Sequence, residues 1–233
     1  MFEQCSCIRN HPRRRAFQKT ISYFGMLNSL SQTLLKIASP GVPDFYQGNE
    51  IWDFSLVDPD NRRPVNFEIR RKALAVLKET AARHEADFTG FLKELLDKWE
   101  DGYIKLYITS KALAFRRENQ VLFMEGAYIP LTGDGALSDH FCGFARQQNN
   151  KSVLVIVPRL LTPVLNFNPE APLGEKVWGD TGIEIPDEIP GDTFKNILTG
   201  EKVEVFLRAE KRELSLAGVF SSFPVVMLAS EGL

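Results

Sequence analysis

Cysteine is scarce in this chain, with three in 233 residues: Cys5, Cys7 and Cys142. An odd count, with two of the three placed two apart near one end, is no disulfide framework. A reducing cytoplasm is the expected setting. Cys5 and Cys7 with His11 lack a second ligand pair, so the closed four-ligand spacing of a zinc site is missing. Neither a metal nor a cofactor is expected. An excess of charge of one sign is also missing, since 28 basic residues face 30 acidic ones for a net charge of −2. Nothing global therefore draws the protein to nucleic acid or to an anionic membrane. The one basic run, Arg13-Arg14-Arg15, is short and reads as a solvated helix start. No apolar run reaches the ~18 residues of a membrane span, and no signal peptide opens the chain. Repeats and low-complexity tracts are absent. What is present is 44% hydrophobic and 25% charged residues, an ordinary globular balance over a length that allows one large domain or two modest ones.

The first half reads as helical. Leu27, Leu30, Leu34 and Ile37 share one helical face, thickened by Leu35 and Ala38. Ser39-Pro40-Gly41 stops that helix. Gly25 is expected to separate it from an earlier helix carrying Phe17, Ile21 and Phe24. Residues 41–48 are short, β-leaning and closed by glycine. They predict a strand, with Pro43 early in it. A connection over 49–66 follows, and its Ile51, Trp52, Phe54, Leu56 and Val57 predict an ordered loop. Three more helical faces come next: Ile69, Ala73 and Leu77 with Leu74; Phe88, Phe91, Leu92 and Leu95; and Ile104, Ile108, Ala112 and Phe115. The last ends in Arg116-Arg117, where the helix dipole favours cations.

After about residue 120 the pattern changes to short strands. Ser152 to Val157 predicts a fully buried strand. Phe141 to Arg146, Gly182 to Ile185, Lys202 to Phe206, the alternating Leu214, Leu216 and Phe220, and Pro224 to Leu228 are further candidates. Asn149-Asn150 predicts a hairpin turn, and residues 162–176, with Pro163, Pro169 and Pro172, a loop. The expected organisation is a mainly helical unit over 1–118 and an all-β sandwich over 119–233.

Residues 39–66 hold the densest mixture of carboxylates, amides, arginines and aromatics in the chain. That mixture suits sugars: hydroxyls take planar donors and acceptors in fixed directions, and pyranose faces take aromatic surfaces. The candidate contact residues are Tyr46, Gln47, Glu50, Asp58, Asp60, Asn61, Arg62 and Arg63. Physical chemistry alone leaves a scaffold reading equally open. Asp58-Pro59-Asp60-Asn61 also fits a plain turn, with an arginine tying it down, and Tyr46 and Gln47 also fit packing positions.

Gly41-Val-Pro-Asp-Phe-Tyr-Gln-Gly-Asn-Glu50 resembles the eighth barrel strand of the α-amylase superfamily, where a G-V-P-x-x-Y-x-G-x-E pattern recurs. Within that superfamily, the blocks Asn28–Lys36 and Trp52–Val65 resemble the maltooligosyltrehalose synthase family. So do Asp101–Lys105, Val157–Leu160, Trp178–Thr181 and Asn196–Gly200, in the same order. The resemblance runs over most of the chain from about Phe17. It implies the last strand and flanking helices of a (β/α)8 barrel followed by an all-β C-terminal sandwich domain. It also implies a C-terminal portion of a (1→4)-α-D-glucan 1-α-D-glucosylmutase, an isomerase of trehalose biosynthesis. Such an enzyme turns the reducing-end α-1,4 linkage of a maltooligosaccharide into an α,α-1,1 linkage.

The family's catalytic carboxylates follow strands four, five and seven, and none of those motifs is present here. No catalytic residue is therefore assigned, and Asp44, Asp53, Asp58 and Asp60 are not promoted to that role. The implied partners are a maltooligosaccharide and the N-terminal barrel. Without that barrel, the Leu27–Ile37 face and Phe45 are expected to lose their partners, so self-association or displacement of residues 1–25 is expected. Two other readings stay open: another hydrolase of the superfamily, or a non-catalytic carbohydrate-binding module with Trp178 and Phe167 as its platform. Core packing is the competing role for both aromatics, and bracing of the barrel is the plain role for the β domain.

Overall fold

In the computed structural model, residues 12–56, 58–84, 88–231 and 233 are described, with side chains from Arg15 onward. Cys5, Cys7, His11 and Val57 fall outside them. The helices longer than one turn are α1 (Pro12–Ala38), α2 (Phe67–Arg83), α3 (Phe88–Asp97), α4 (Tyr103–Glu118) and α5 (Gln120–Glu125). Ten strands follow: β1 (Ala127–Leu131), β2 (Gly133–Asp134), β3 (Phe141–Gln148), β4 (Lys151–Pro158), β5 (Gly182–Glu184), β6 (Thr193–Asn196), β7 (Lys202–Glu204), β8 (Phe206–Arg208), β9 (Lys211–Ser215) and β10 (Val226–Ser230). They form a six-stranded sheet in the order β1-β3-β4-β10-β6-β7 and a four-stranded sheet in the order β2-β5-β9-β8. Every pairing is antiparallel.

β4 shows why its sequence is an unbroken apolar run. Val153, Val155 and Val157 point to one side of the six-stranded sheet and join Leu30, Leu34 and Ile37 of α1 and Ile108 and Ala112 of α4. Leu154 and Ile156 point to the other side and join Ile183 of β5, Leu214 of β9 and the ring of Trp178. Side chains alternate along a strand, so a strand covered on both faces must be apolar at every position. The β3–β4 hairpin turns at Asn149, whose φ of 54° is the left-handed conformation that Asn tolerates.

Several expectations change. Gly25 does not divide two helices, because α1 runs through it; one glycine costs a helix only ~1 kcal/mol. The Leu27–Ile37 face is not left open, because the six-stranded sheet and α4 cover it. Residues 12–25 form the first part of α1. Residues 41–48 do not form a strand. A strand needs a neighbour to take its backbone groups, and this segment pairs with none among the described residues. Leu216 lies in a one-turn helix (Leu216–Val219), not in a strand with Leu214. Lys202–Phe206 divides between β7 and β8, which belong to different sheets. The 162–176 region carries helical turns at Leu161–Val164 and Glu175–Trp178. Arg116 does not serve its own helix end. Its buried guanidinium donates to the carbonyl of Ile37, in the last turn of α1, and to those of Ser39 and Gly41 just after it, and so satisfies acceptors that the helix end leaves free.

Candidate functional site

The segment 41–66 leaves the C-terminus of α1, crosses the start of α4 and enters α2. It has little regular structure, so side-chain ties fix its path. Arg70 of α2 donates from Nε to Glu50 Oε2 (2.7 Å), from Nη2 to the Gly48 carbonyl (2.6 Å) and from Nη1 to the Asn66 carbonyl (3.2 Å). Asn66 caps α2 by accepting from the Ile69 amide (3.2 Å). The Trp52 indole donates to the Trp99 carbonyl (2.6 Å). Gly102 is needed just beneath. Its φ is +80°, and a Cβ there would meet the Trp52 backbone nitrogen at 2.9 Å, so any other residue would push the segment away.

These ties shape a polar cleft of about 290 Å³ between α1, the segment and α4. Gln32, Lys36, Phe45, Asn49, Asp53 and Lys105 line it. The Lys36 ammonium lies 4.0 Å from the centroid of the Phe45 ring, an attractive cation–π distance. Lys105 is 7% exposed. Burial, and then the like charge of Lys36, push its pKa below the usual lysine range, while Asp53 and Glu50 oppose the shift. Asp53 Oδ1 accepts from the Ser55 amide (2.9 Å). Hydrogen bonding to Ser55 holds its carboxyl below the usual carboxylate range, with Lys105 and Arg70 adding to the effect against desolvation.

Among the described residues, Asp53 is the one carboxylate lining this cleft. The cleft therefore offers hydroxyl recognition by ammonium, amide and carboxylate groups. It does not offer the carboxylate pair, about 5–5.5 Å apart, of a retaining glycosidase.

The eight sequence candidates separate. Tyr46 and Gln47 are exposed beside the cleft. Glu50 is tied to Arg70. Asp58 holds Arg62 through two hydrogen bonds (3.1 and 2.7 Å) at the surface. Asp60 accepts from the Leu56 amide (2.8 Å) and pairs with Arg63, so these four close a local turn. Asn61 differs, because its Oδ1 is buried without a partner among the described residues. Sequence reasoning missed Lys36, Lys105 and Arg70. Lys36 and Lys105 lie inside helical patterns, where a lysine reads as an ordinary solvated charge. Trp178 is fully buried, with its indole donating to the Pro172 carbonyl (2.7 Å), whereas Phe167 is exposed. A platform built on both is ruled out.

No family model matches the chain. Two curated relatives, from the CDC 1551 / Oshkosh and H37Rv strains of Mycobacterium tuberculosis and provisionally named maltooligosyl trehalose synthase, are each 31% identical over 204 residues. The match takes in 88% of this chain and 20% of theirs. Maltooligosyltrehalose synthase from Arthrobacter ramosus superposes with a TM-score of 0.65 at 28% identity, over 95% of this chain and 25% of that one. This chain is homologous to part of the maltooligosyltrehalose synthases. A single-substitution mutant of the Arthrobacter enzyme gives a TM-score of 0.64 at 30% identity, over 91% of this chain and 23% of that one. The chain thus spans about a fifth to a quarter of the length of the synthases it matches. Among the described residues no helix is long and apolar enough to cross a membrane.

Proposed function

We propose that this chain is the C-terminal portion of a cytoplasmic maltooligosyltrehalose synthase and forms one wall of its glucan pocket. Residues 1–118 would close the (β/α)8 barrel, with 41–48 as its last strand, and 119–233 would form the sandwich that braces it. The passage from helix to strand between Glu125 and Ala127 supports a boundary in this neighbourhood. The carrying observation is the Lys36–Asp53–Lys105 cleft beside the unpaired segment 41–48. Tyr46, Gln47, Asn61 and the 58–63 turn would border the same pocket. Asn61 brings an acceptor with no partner within the described residues, which suits a sugar hydroxyl or a group of the adjoining barrel.

In the assembled enzyme, a carboxylate nucleophile and an acid/base group from the adjoining barrel would cut the reducing-end linkage by the retaining scheme. The wall described here would hold the released glucose while it turns and would keep water from the intermediate. The chain by itself is inert in this reading. Incubation with maltoheptaose should yield neither a trehalose-terminated product nor glucose or maltose. Formation of the α,α-1,1 linkage would show that the chain carries its own carboxylates, and release of glucose or maltose would favour the hydrolase reading.

Self-association of the isolated chain belongs to the same proposal. Phe17, Ile21, Val42, Phe54 and Leu56 are exposed, and apolar surface of this kind marks contact with another surface. Light scattering should report more than a monomer, and a clean monomer at high concentration would remove this element.

A further inference from the structure

A groove of about 590 Å³ runs between α2 and α4 and shares no lining residue with the polar cleft. Two helical stripes form its walls. Leu74, Leu77 and Ala81 recur at spacings of three and four along α2, and Tyr107, Ser110 and Ala114 do the same along α4, with Leu113 beside them. Leu77 and Tyr107 are buried and make the floor. The Tyr107 hydroxyl donates to the Leu198 carbonyl in the turn between β6 and β7, so the six-stranded sheet fixes the floor from behind. Leu74, Ala81, Leu113 and Ala114 are only half-buried, which leaves apolar atoms facing water between the two helices.

The rim is basic. Lys78 stands on the α2 wall, and Lys111 and Arg117 stand on the α4 wall; all three are exposed. None of them has a hydrogen bond or ion pair among the described residues. Neighbouring helix cations do: Arg71 and Lys72 pair with Glu68, Arg83 with Glu79, Lys93 with Asp97 and Lys98 with Glu94. No carboxylate is found among the described residues that line the groove. The three charges therefore face one space without compensation in its lining, and their potentials add. They are also spread out. Lys111 and Arg117 are six residues apart, roughly 9 Å along α4, and Lys78 is on the opposite wall.

We propose that this groove docks an acidic amphipathic helix of a partner protein. Its α4 wall spans roughly 15 Å from Tyr107 to Arg117, the rise of about ten residues, so the occupant is a helix of about three turns. The apolar face of that helix enters between the two stripes, with anchors at the i, i+3, i+4 and i+7 spacing of helix-in-groove recognition. Its carboxylates flank the apolar face on both sides, reaching Lys78 on one wall and Lys111 and Arg117 on the other. A single anionic head group does not meet cations placed on both walls, which sets this surface apart from a pocket for a small amphiphile. The proposal is independent of the glucan-pocket reading above.

Two synthetic three-turn peptides, sharing one leucine face and flanked either by glutamates or by lysines, test the docking surface by fluorescence anisotropy with the full chain. The glutamate peptide should bind at least about tenfold tighter than the lysine peptide, and added salt should narrow the gap. Reversing charge at two exposed positions together, Lys78→Glu and Arg117→Glu, should invert the preference while circular dichroism and the thermal midpoint stay unchanged. Ala114→Trp, which fills the groove, should weaken both peptides. Equal affinity for the two peptides, or an unchanged preference in the charge-reversed protein, overturns the proposal. So does binding that Ala114→Trp leaves intact, because the peptide then sits elsewhere. Failure of both peptides to bind overturns it as well. Saturable binding of sodium laurate that Ala114→Trp abolishes would then assign the groove to a small amphiphile, and a dimer that Ala114→Trp reduces to monomers would assign it to a second copy of this chain.

Discussion

Leu30, Leu34 and Ile37 of α1 are sealed between β4 and α4, whereas Tyr46, Phe54 and Leu56, a few residues further along the chain, are exposed. The sealed face is held by apolar packing, with Ser31 Oγ donating to the Pro158 carbonyl (3.0 Å) as one of its polar ties. The segment 41–66 is held by Arg70, Arg116, the Trp52 indole and Asn66, which are discrete hydrogen bonds to backbone and carboxylate groups. The first arrangement is cooperative and non-directional. The second fixes direction and leaves side chains facing outward, as a binding surface requires. Different substitutions should therefore damage each region.

The largest effect is expected in the core shared by the two sheets. Trp178→Ala removes a fully buried ring that packs at a tilt against Phe220, 4.9 Å between centroids, and should cost about 3–5 kcal/mol in urea denaturation. A cost near zero would mean that the two sheets do not share a core. Next comes the junction of the regions. Arg116→Leu strips donors from carbonyls after α1, and about 2–3 kcal/mol should be lost, with protease sensitivity appearing at residues 39–45. A loss without local sensitivity would place the effect in α4. Arg70→Ala should be milder and local, at about 1–2 kcal/mol. Hydrogen exchange at residues 48–52 should quicken while the urea midpoint barely moves, and a global loss would break the distinction between the two regions.

Lys105→Met tests the cost of the cleft's buried cation. The folded state lowers the Lys105 pKa, so the unfolded chain holds this proton more firmly. The destabilisation is full below the folded pKa and is relieved as pH rises from the folded towards the unfolded pKa. The variant should be the more stable protein at pH 7, and its advantage should shrink towards pH 10 when urea midpoints are compared. An advantage that grows with pH would overturn the assignment. The smallest effect is at the surface: Asp58→Asn, which loosens an exposed pair with Arg62, should leave the thermal midpoint unchanged within error.

Periodicity in the sequence determined the helical faces of α1, α3 and α4, the doubly buried β4 and the Asn149-Asn150 turn, because each follows a local pattern; of the α2 face it determined only Ala73 and Leu77, since Ile69, one turn before them, is exposed. The motif blocks at 28–36 and 41–65 determined the family resemblance. Other features depend on partners far away in the chain. The 41–48 segment has strand propensity but no strand beside it to take its hydrogen bonds. Gly25 reads as a break, yet packing on the sheet outweighs its helix cost. Leu214, Leu216 and Phe220 alternate like a strand, although the chain turns into a helix after Ser215. Arg116 reads as a dipole-matched helix end, and only the fold brings it to the carbonyls of Ile37, Ser39 and Gly41. Lys36, Asp53 and Lys105 are separated by 17 and 52 residues in the sequence. Nothing local distinguishes them from solvated charges until α1, the site segment and α4 converge around a single cleft.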